Sequence, residues 1–210
     1  MVIEVSGPNG AGKTSLIKRL RSDYLSCKKD IDHKSAAFLF LFVKHLLLSL
    51  PGLLYVAANI QQKRLNKLKL LAFTGAYIDY SGRSNDTRII DEGPIYYLSI
   101  LDRKVPADNH WYLRWRDRKL KAYGKIVDHI IFVDVEADIA VKRIRERGRA
   151  HPAMRGTVSK AKQRINDHRR RVLNIIDELD DVSIIKVDTT DSMPEKIASE
   201  IYQVLAHHVS

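Results

Sequence analysis

Three groups of residues have the types and spacing needed to handle phosphate. In Gly7-Pro8-Asn9-Gly10-Ala11-Gly12-Lys13-Thr14-Ser15, four residues separate a glycine from Gly-Lys-Thr. Glycines let a short loop turn its backbone N–H groups inward around phosphate oxygens, and the N-terminus of a following helix adds partial positive charge. At this spacing Lys13 reaches the β- and γ-phosphates of a nucleoside triphosphate such as ATP, and the Thr14 hydroxyl is a ligand for Mg²⁺. Asp91 and Glu92 form the second group, standing where the apolar run RII ends and a Gly-Pro turn begins. The third group is cationic. Arg143 and Arg147 are four apart and share one helical face, while Arg149 and Arg155 flank a turn rich in Gly and Pro.

An acidic pair after an apolar strand suits either hydrolysis or transfer. In a hydrolysing ATPase, Asp91 holds Mg²⁺ through water and Glu92 polarises the attacking water. In a kinase, a carboxylate orients or deprotonates the acceptor hydroxyl, and positive charge arrives on a segment that closes to exclude water, because hydrolysis competes with transfer. Residues 142–171 carry twelve Lys/Arg against only Glu146 and Asp167. That local excess favours transfer; a solvated basic helix face is the plain alternative. The glycine loop resembles that of the P-loop NTPases, and its wording, GPNGAGKTS, is commonest among ABC transport ATPases. That class also needs an LSGGQ-like signature and a helix upstream of the acidic strand. The nearest match, YSGRS at 80–84, ends seven residues before Asp91 and leaves no room for the helix.

The elements that must position these residues are legible from periodicity. Apolar, β-branched runs at 1–6, TRIIDE (87–92), DHIIFVDV (128–135) and VSIIKVD (182–188) read as buried parallel strands, with a weak fifth near Ile31. Helices are expected over 13–26, 36–50, 53–73, after Pro94, and over 108–122, 136–147, 158–179 and 193–207. Gly148 is a C-terminal cap, Ser192-Met-Pro-Glu195 a capping box, and Val158, Ala161, Ile165, Val172, Ile176 and Leu179 the apolar stripe of the long helix. Strands alternating with helices imply a doubly wound α/β fold with a mainly five-stranded parallel sheet. Its ligand crevice lies at the carboxyl ends of the strands, where Gly7, Asp91, Val135 and Asp188 converge.

Composition narrows the class. The 210 residues, 45% apolar and 29% charged, fit one domain, with a lid at about 147–158 and a variable helical acceptor region at about 30–86. Cys27 is the lone cysteine and MVIEV reads as a strand, so a cytoplasmic setting is expected. The +11 formal charge suits a polyanionic ligand. Residues 36–59 approach the ~20 apolar residues of a membrane span, but Lys44, His45 and Pro51 interrupt them. The expectation is no transmembrane span. An apolar acceptor pocket, a homodimer interface and peripheral membrane contact all stay open for this segment. The scattered histidines suggest no metal cluster.

The lid and last strand carry a closer likeness. KRIRERGR resembles the lid of the small P-loop nucleoside and nucleotide kinases, especially the thymidylate kinase-like group, through Arg143, Ile144, Arg147 and Arg149. VDTTDSMPEKIASEI is similar to their last strand and helix, which would lay Thr189, Thr190 and Asp191 along the adenine. The likeness implies Mg²⁺-dependent transfer of the γ-phosphoryl group of ATP to a small-molecule acceptor. Lys13 and loop residues 7–15 would hold the triphosphate, Thr14 and Asp91 the metal, Asp91 or Glu92 the acceptor hydroxyl, and Arg143, Arg147 and Arg149 the developing charge. In that family an arginine commonly follows the third-strand carboxylate; here Glu92 and Gly93 stand in its place. Glu92 would repel an acceptor phosphate, which shifts the expectation towards a nucleoside, sugar or other hydroxyl compound. Asp32, His33, Arg83, Arg88, Tyr96, Tyr97 and Arg103 are candidates on the acceptor side. The rival reading is a P-loop ATPase or switch that binds nucleic acid through 142–171.

Overall fold

Four short segments rich in Ile and Val, β1 (Val2–Ser6), β2 (Arg88–Asp91), β3 (His129–Asp134) and β4 (Ser183–Asp188), pair edge to edge in a computed structural model of the chain. The structure describes residues 1–25, 36–57, 69, 72–76, 79–80, 87–103, 110–148, 151–180 and 182–206, without the side chains of 49–57 and 111. All pairings are parallel, in the order β2-β1-β3-β4. Val5 lies opposite Asp91, Ser6 opposite Phe132, and Asp134 opposite Asp188. The carboxyl ends therefore share one edge, with β3 and β4 running two residues past β1, and the chain leaves every strand there.

Helices cover both faces, as parallel strands buried on two sides require. On one face α1 (Lys13–Arg19), α5 (Ala137–Glu146) and α7 (Pro194–Ala206) seat Leu16, Ile17, Val141, Ile144, Ile197 and Ile201 against Ile3, Val5, Ile131 and Val133. On the other, α3 (Pro94–Asp102), α4 (His110–Gly124) and the C-terminal part of α6 (Val158–Ile176) pack Ile95, Leu98, Trp115, Val172 and Ile175 on Val2, Ile130 and Phe132. The amino-terminal half of α6 joins the first cluster through Ala161 and Ile165. α2 (Ala36–Ala57) forms a smaller cluster, with Phe38 and Leu41 on Ala76.

Several expectations are corrected. The sheet has four strands among the described residues; the fifth, near Ile31, falls outside them. α2 is one helix through Pro51 rather than a helix ending at 50 and another from 53. Proline removes one intrahelical donor, yet the helix continues to Ala57. α1 stops at Arg19 and continues as a π-helical turn over Leu20–Tyr24, so the helix does not reach 26. Val158 is exposed, unlike the rest of its stripe. Glu195 does not close a capping box; its carboxylate reaches across to Arg19 on α1 at 2.5 Å. Gly148 takes the left-handed conformation (φ 62°) of a helix C-cap, its N–H donating to Arg145 O. Among the described residues no helix is long and apolar enough to cross a membrane. The outer side of α2 nevertheless exposes Leu39, Phe40, Val43, Leu47 and Leu48.

Candidate active site

The glycine loop leaves β1 and is forced into its shape by what surrounds it. Gly7 (φ 145°) and Gly10 (φ 87°) are in left-handed backbone conformations, and a Cβ would meet Val133 O at 2.1 Å from Gly7 and Ala140 O at 2.7 Å from Gly10. Only glycine fits against β3 and α5 there. Gly12, with φ 88°, opens α1. Lys13 is buried, and its ammonium donates to Gly7 O (2.9 Å) and Pro8 O (3.1 Å). Burial lowers the pKa of this ammonium, Asp91 and Glu92 oppose that, and Arg147 adds to it. The Thr14 hydroxyl is 3.4 Å from Asp91 Oδ2, joining residues 77 positions apart.

Beyond β2 the chain turns sharply. Glu92 has φ 56°, the one non-glycine in the left-handed region among the described residues. A conformation of this kind is costly for a residue with a Cβ and persists where its surroundings enforce it. The next residue is tightly packed. A Cβ on Gly93 would lie 2.3 Å from Glu4 Cδ. Glu4 sits in the central strand β1, fully buried, and its side chain rises under the start of α3. Tyr123 Oη donates to Glu4 Oε2, and the backbone N–H groups of Ile95, Tyr96 and Gly93 face the same carboxyl, whose Oε1 has no partner of good geometry. Burial raises the Glu4 pKa to about 7 against the opposing pull of these donors. Gly93 is thus required by a buried carboxyl. Its sequence signal was a lone Glu within an apolar strand.

Three cavities follow one another along the carboxyl edge of the sheet. The first, ≈ 430 Å³, is lined by Ala11, Gly12, Ser15, Arg143, Thr189, Ser192 and Ile197, among others. The second, ≈ 250 Å³, lies over the glycine loop and includes Asn9, Gly10, Lys13, Thr14, Asp91, Glu92, Arg147 and His151. The third, ≈ 290 Å³, continues between α3 and α6 past Tyr96, Arg103, Arg164, His168 and Arg171. Gly12 and Arg147 border the first two, and Asn9, Glu92 and His151 border the last two.

The expected residues divide among these spaces. Lys13, Thr14, Asp91, Glu92 and Arg147 meet around the middle cavity. Arg143 does not. Its guanidinium donates to Thr189 Oγ1 (3.1 Å) and to the carbonyls of Thr189 (2.6 Å) and Thr190 (3.4 Å), at the first cavity. The Thr189 hydroxyl lies 2.9 Å from both Ala11 O and Asp134 O, and Thr190 Oγ1 accepts from Glu136 N at 3.1 Å. These threonines bind the last strand's loop to the glycine loop and β3. Pro8 contributes its carbonyl, and Ser15 borders the first cavity. Arg149, Asp32, His33 and Arg83 lie outside the described residues. In the segment before α6, Ala153 O (3.1 Å) and Arg155 O accept from Arg164 on α6, and His151 Nδ1 accepts from Ala153 N.

Arg164, His168 and Arg171 line the third cavity, and periodicity did not single them out. Their signal, three polar side chains on the inner part of an amphipathic helix, resembles ordinary surface. His168 is buried, and burial followed by the neighbouring cations Lys13, Arg171 and Arg103 lowers its pKa to about 3. The Ser99 hydroxyl donates to Tyr96 O at 2.7 Å, so His168 Nε2, 3.0 Å away, is the donor to Ser99 Oγ and Nδ1 is left as a neutral acceptor.

No protein-family profile and no curated protein sequence matches the chain. Its backbone is similar to solved structures. Deoxyadenosine kinase from M. mycoides with bound dATP matches with a TM-score of 0.60 at 17% identity, covering 98% of this chain and 100% of that one. The same enzyme with dCMP and dCDP as products gives 0.57 at 16%, covering 99% and 100%. Thymidylate kinase from Candida albicans gives 0.57 at 12%, covering 99% and 91%. At these identities the likeness establishes the fold: the parallel sheet and flanking helices of P-loop nucleoside and nucleotide kinases.

Proposed function

We propose that the chain is an ATP-dependent kinase that phosphorylates a hydroxyl on a small molecule. One observation carries the reading: the middle cavity, with Lys13, Thr14, Asp91, Glu92 and Arg147, shares lining residues with a separate cavity on either side. A hydrolase needs room for a nucleotide and a water; two flanking chambers suit a donor and an acceptor.

The nucleoside of ATP would occupy the first cavity and its phosphates the glycine loop, where Lys13 and the loop amides bind them. The Thr14 hydroxyl and Asp91 carboxylate, 3.4 Å apart, are hard oxygen donors, and such a pair fits Mg²⁺, which takes few protein ligands beside substrate phosphates. When bound, Mg²⁺ neutralises charge on the transferred phosphoryl group. Asp91 borders only the middle cavity whereas Glu92 also borders the third. Glu92 is therefore the residue that orients the acceptor hydroxyl and takes its proton. Arg147 borders both donor-side cavities and is the cation for the charge that develops during transfer. Arg143 shapes the nucleotide pocket by holding the 189–190 loop. The deoxynucleoside and thymidylate kinases that share the fold make a nucleoside-sized acceptor the first class to try.

The test is ADP release against a panel of nucleosides, nucleotides, sugars and polar lipid head groups, with Lys13→Ala as control. A kinase hydrolyses ATP slowly until its acceptor is supplied. If no acceptor accelerates ADP release but DNA or RNA does, the chain is a nucleic-acid-stimulated ATPase and this reading fails.

A further inference from the structure

The third cavity gathers more positive than negative charge among the described residues. It is bordered by Arg103, Arg164 and Arg171 and by a single carboxylate, Glu92. Arg164 is committed to the carbonyls of Ala153 and Arg155. Arg171 uses Nε alone, donating to Ser99 O at 3.0 Å, and among the described residues the Arg103 side chain has neither a hydrogen bond nor an ion pair. The carboxylates nearest in sequence are engaged elsewhere. Asp102 accepts from Tyr112 (2.5 Å) and Arg116 (3.1 Å), and Asp167 pairs with Arg170 (3.0 Å). Burial first, and then the Arg103 charge, lowers the Arg171 pKa, while the Asp167 and Asp102 charges oppose that. Two guanidiniums that face one cavity and, among the described residues, form no ion pair repel each other, and an anion between them relieves that repulsion.

Their place along the cavity gives the anion its place in a ligand. Glu92 precedes α3 and Arg103 follows it, and the nine residues of that helix span ~14 Å. Resting on the kinase reading above, we propose that the acceptor carries an anionic group, phosphate or carboxylate, at the end remote from the phosphorylated hydroxyl, and that Arg103 and Arg171 bind it. Between the two ends Tyr96 and the neutral Nδ1 of His168 are available to an uncharged middle portion. The acceptor is then a nucleoside-sized hydroxyl compound with one charged end. The arginine missing beside Asp91 is not restored by these two, because they stand at the other end of the cavity.

The experiment compares matched acceptors that differ by one remote anion: uridine with orotidine, a hexose with its uronic acid, a linear polyol with its monophosphate. For the wild-type chain we expect kcat/KM at least about tenfold higher for the charged member of at least one pair, and Arg103→Gln to remove that preference by lowering kcat/KM for the charged member. Equal values within every active pair, or a preference that survives Arg103→Gln, overturns the proposal. A second measurement does not depend on turnover. Binding of inorganic phosphate is followed by calorimetry with the donor site filled by a non-hydrolysable ATP analogue and Mg²⁺, in the wild type, Arg103→Gln and Arg171→Gln, with thermal midpoints recorded because Arg171 also supports Ser99. A loss of about tenfold or more in both variants supports the site; no phosphate binding by the wild type, or unchanged binding in Arg103→Gln, refutes it. If no acceptor of any kind accelerates ADP release, the kinase reading falls, while the phosphate measurement still decides whether the anion site exists.

Discussion

Replacing Glu4 by Gln should change how stability depends on pH, and the size of the change follows from where the carboxyl sits. Glu4 is fully buried in the central strand, beneath the first amides of α3, and its pKa is raised from 4.5 to about 7 mainly by burial. In the unfolded chain the same group titrates near its ordinary value. Below pH 4.5 it is protonated in both states and costs nothing. Between 4.5 and 7 the unfolded chain releases the proton that the folded chain keeps, so stability declines as pH rises. Above about 7 both are ionised, and the folded state bears the full cost of a buried charge, which for this displacement is ~3 kcal/mol. Glutamine has the same shape, its carbonyl can face the amides of Ile95 and Tyr96, and it has no charge to bury. The check is urea unfolding at pH 4.5, 6 and 8.5 for wild type and Glu4→Gln. The difference between them should grow in favour of the variant by ~2–3 kcal/mol across that range. Parallel profiles would refute the account, since they would mean that Glu4 titrates alike in both states. The consequence is also functional, because Glu4 supports the turn that carries Asp91 and Glu92.

Three further outcomes follow from the geometry. Gly93→Ala places a Cβ 2.3 Å from Glu4 Cδ and should destabilise the fold by ~1–3 kcal/mol; most of that loss should disappear in a Glu4→Ala background, as a double-mutant cycle would show. Arg147→Ala should lower kcat by about a hundredfold or more with ATP affinity nearly unchanged, whereas Arg143→Ala should weaken ATP binding, since it releases the 189–190 loop; equilibrium binding of a fluorescent ATP analogue beside steady-state rates separates the two. Asp91→Asn should raise the Mg²⁺ concentration needed for half-maximal ADP release severalfold, and an unchanged Mg²⁺ titration would remove Asp91 from the metal site.

Much of this architecture is legible without coordinates because it is local. Periodicity and β-branched content located the four strands to within a residue or two, and glycine spacing located the phosphate loop. The loop's function depends on backbone conformations that only glycine adopts cheaply, so its chemistry is written in consecutive residues. The arginine of the resembled kinases is absent from position 92, and that too could be read directly.

Tertiary structure decided what depends on residues far apart in the chain. That Thr14 and Asp91 stand side by side, that Arg143 is committed to Thr189 and Thr190 while Arg147 is not, and that Arg103 and Arg171 face one cavity all depend on the order β2-β1-β3-β4 and on α6 packing against α3. The same holds for Gly93. In sequence it reads as the start of a Gly-Pro turn; in the fold it is the position where a side chain would collide with the buried Glu4 carboxyl from a neighbouring strand. Short-range periodicity registers which face of an element is apolar, but it does not register which polar groups meet once those faces are buried.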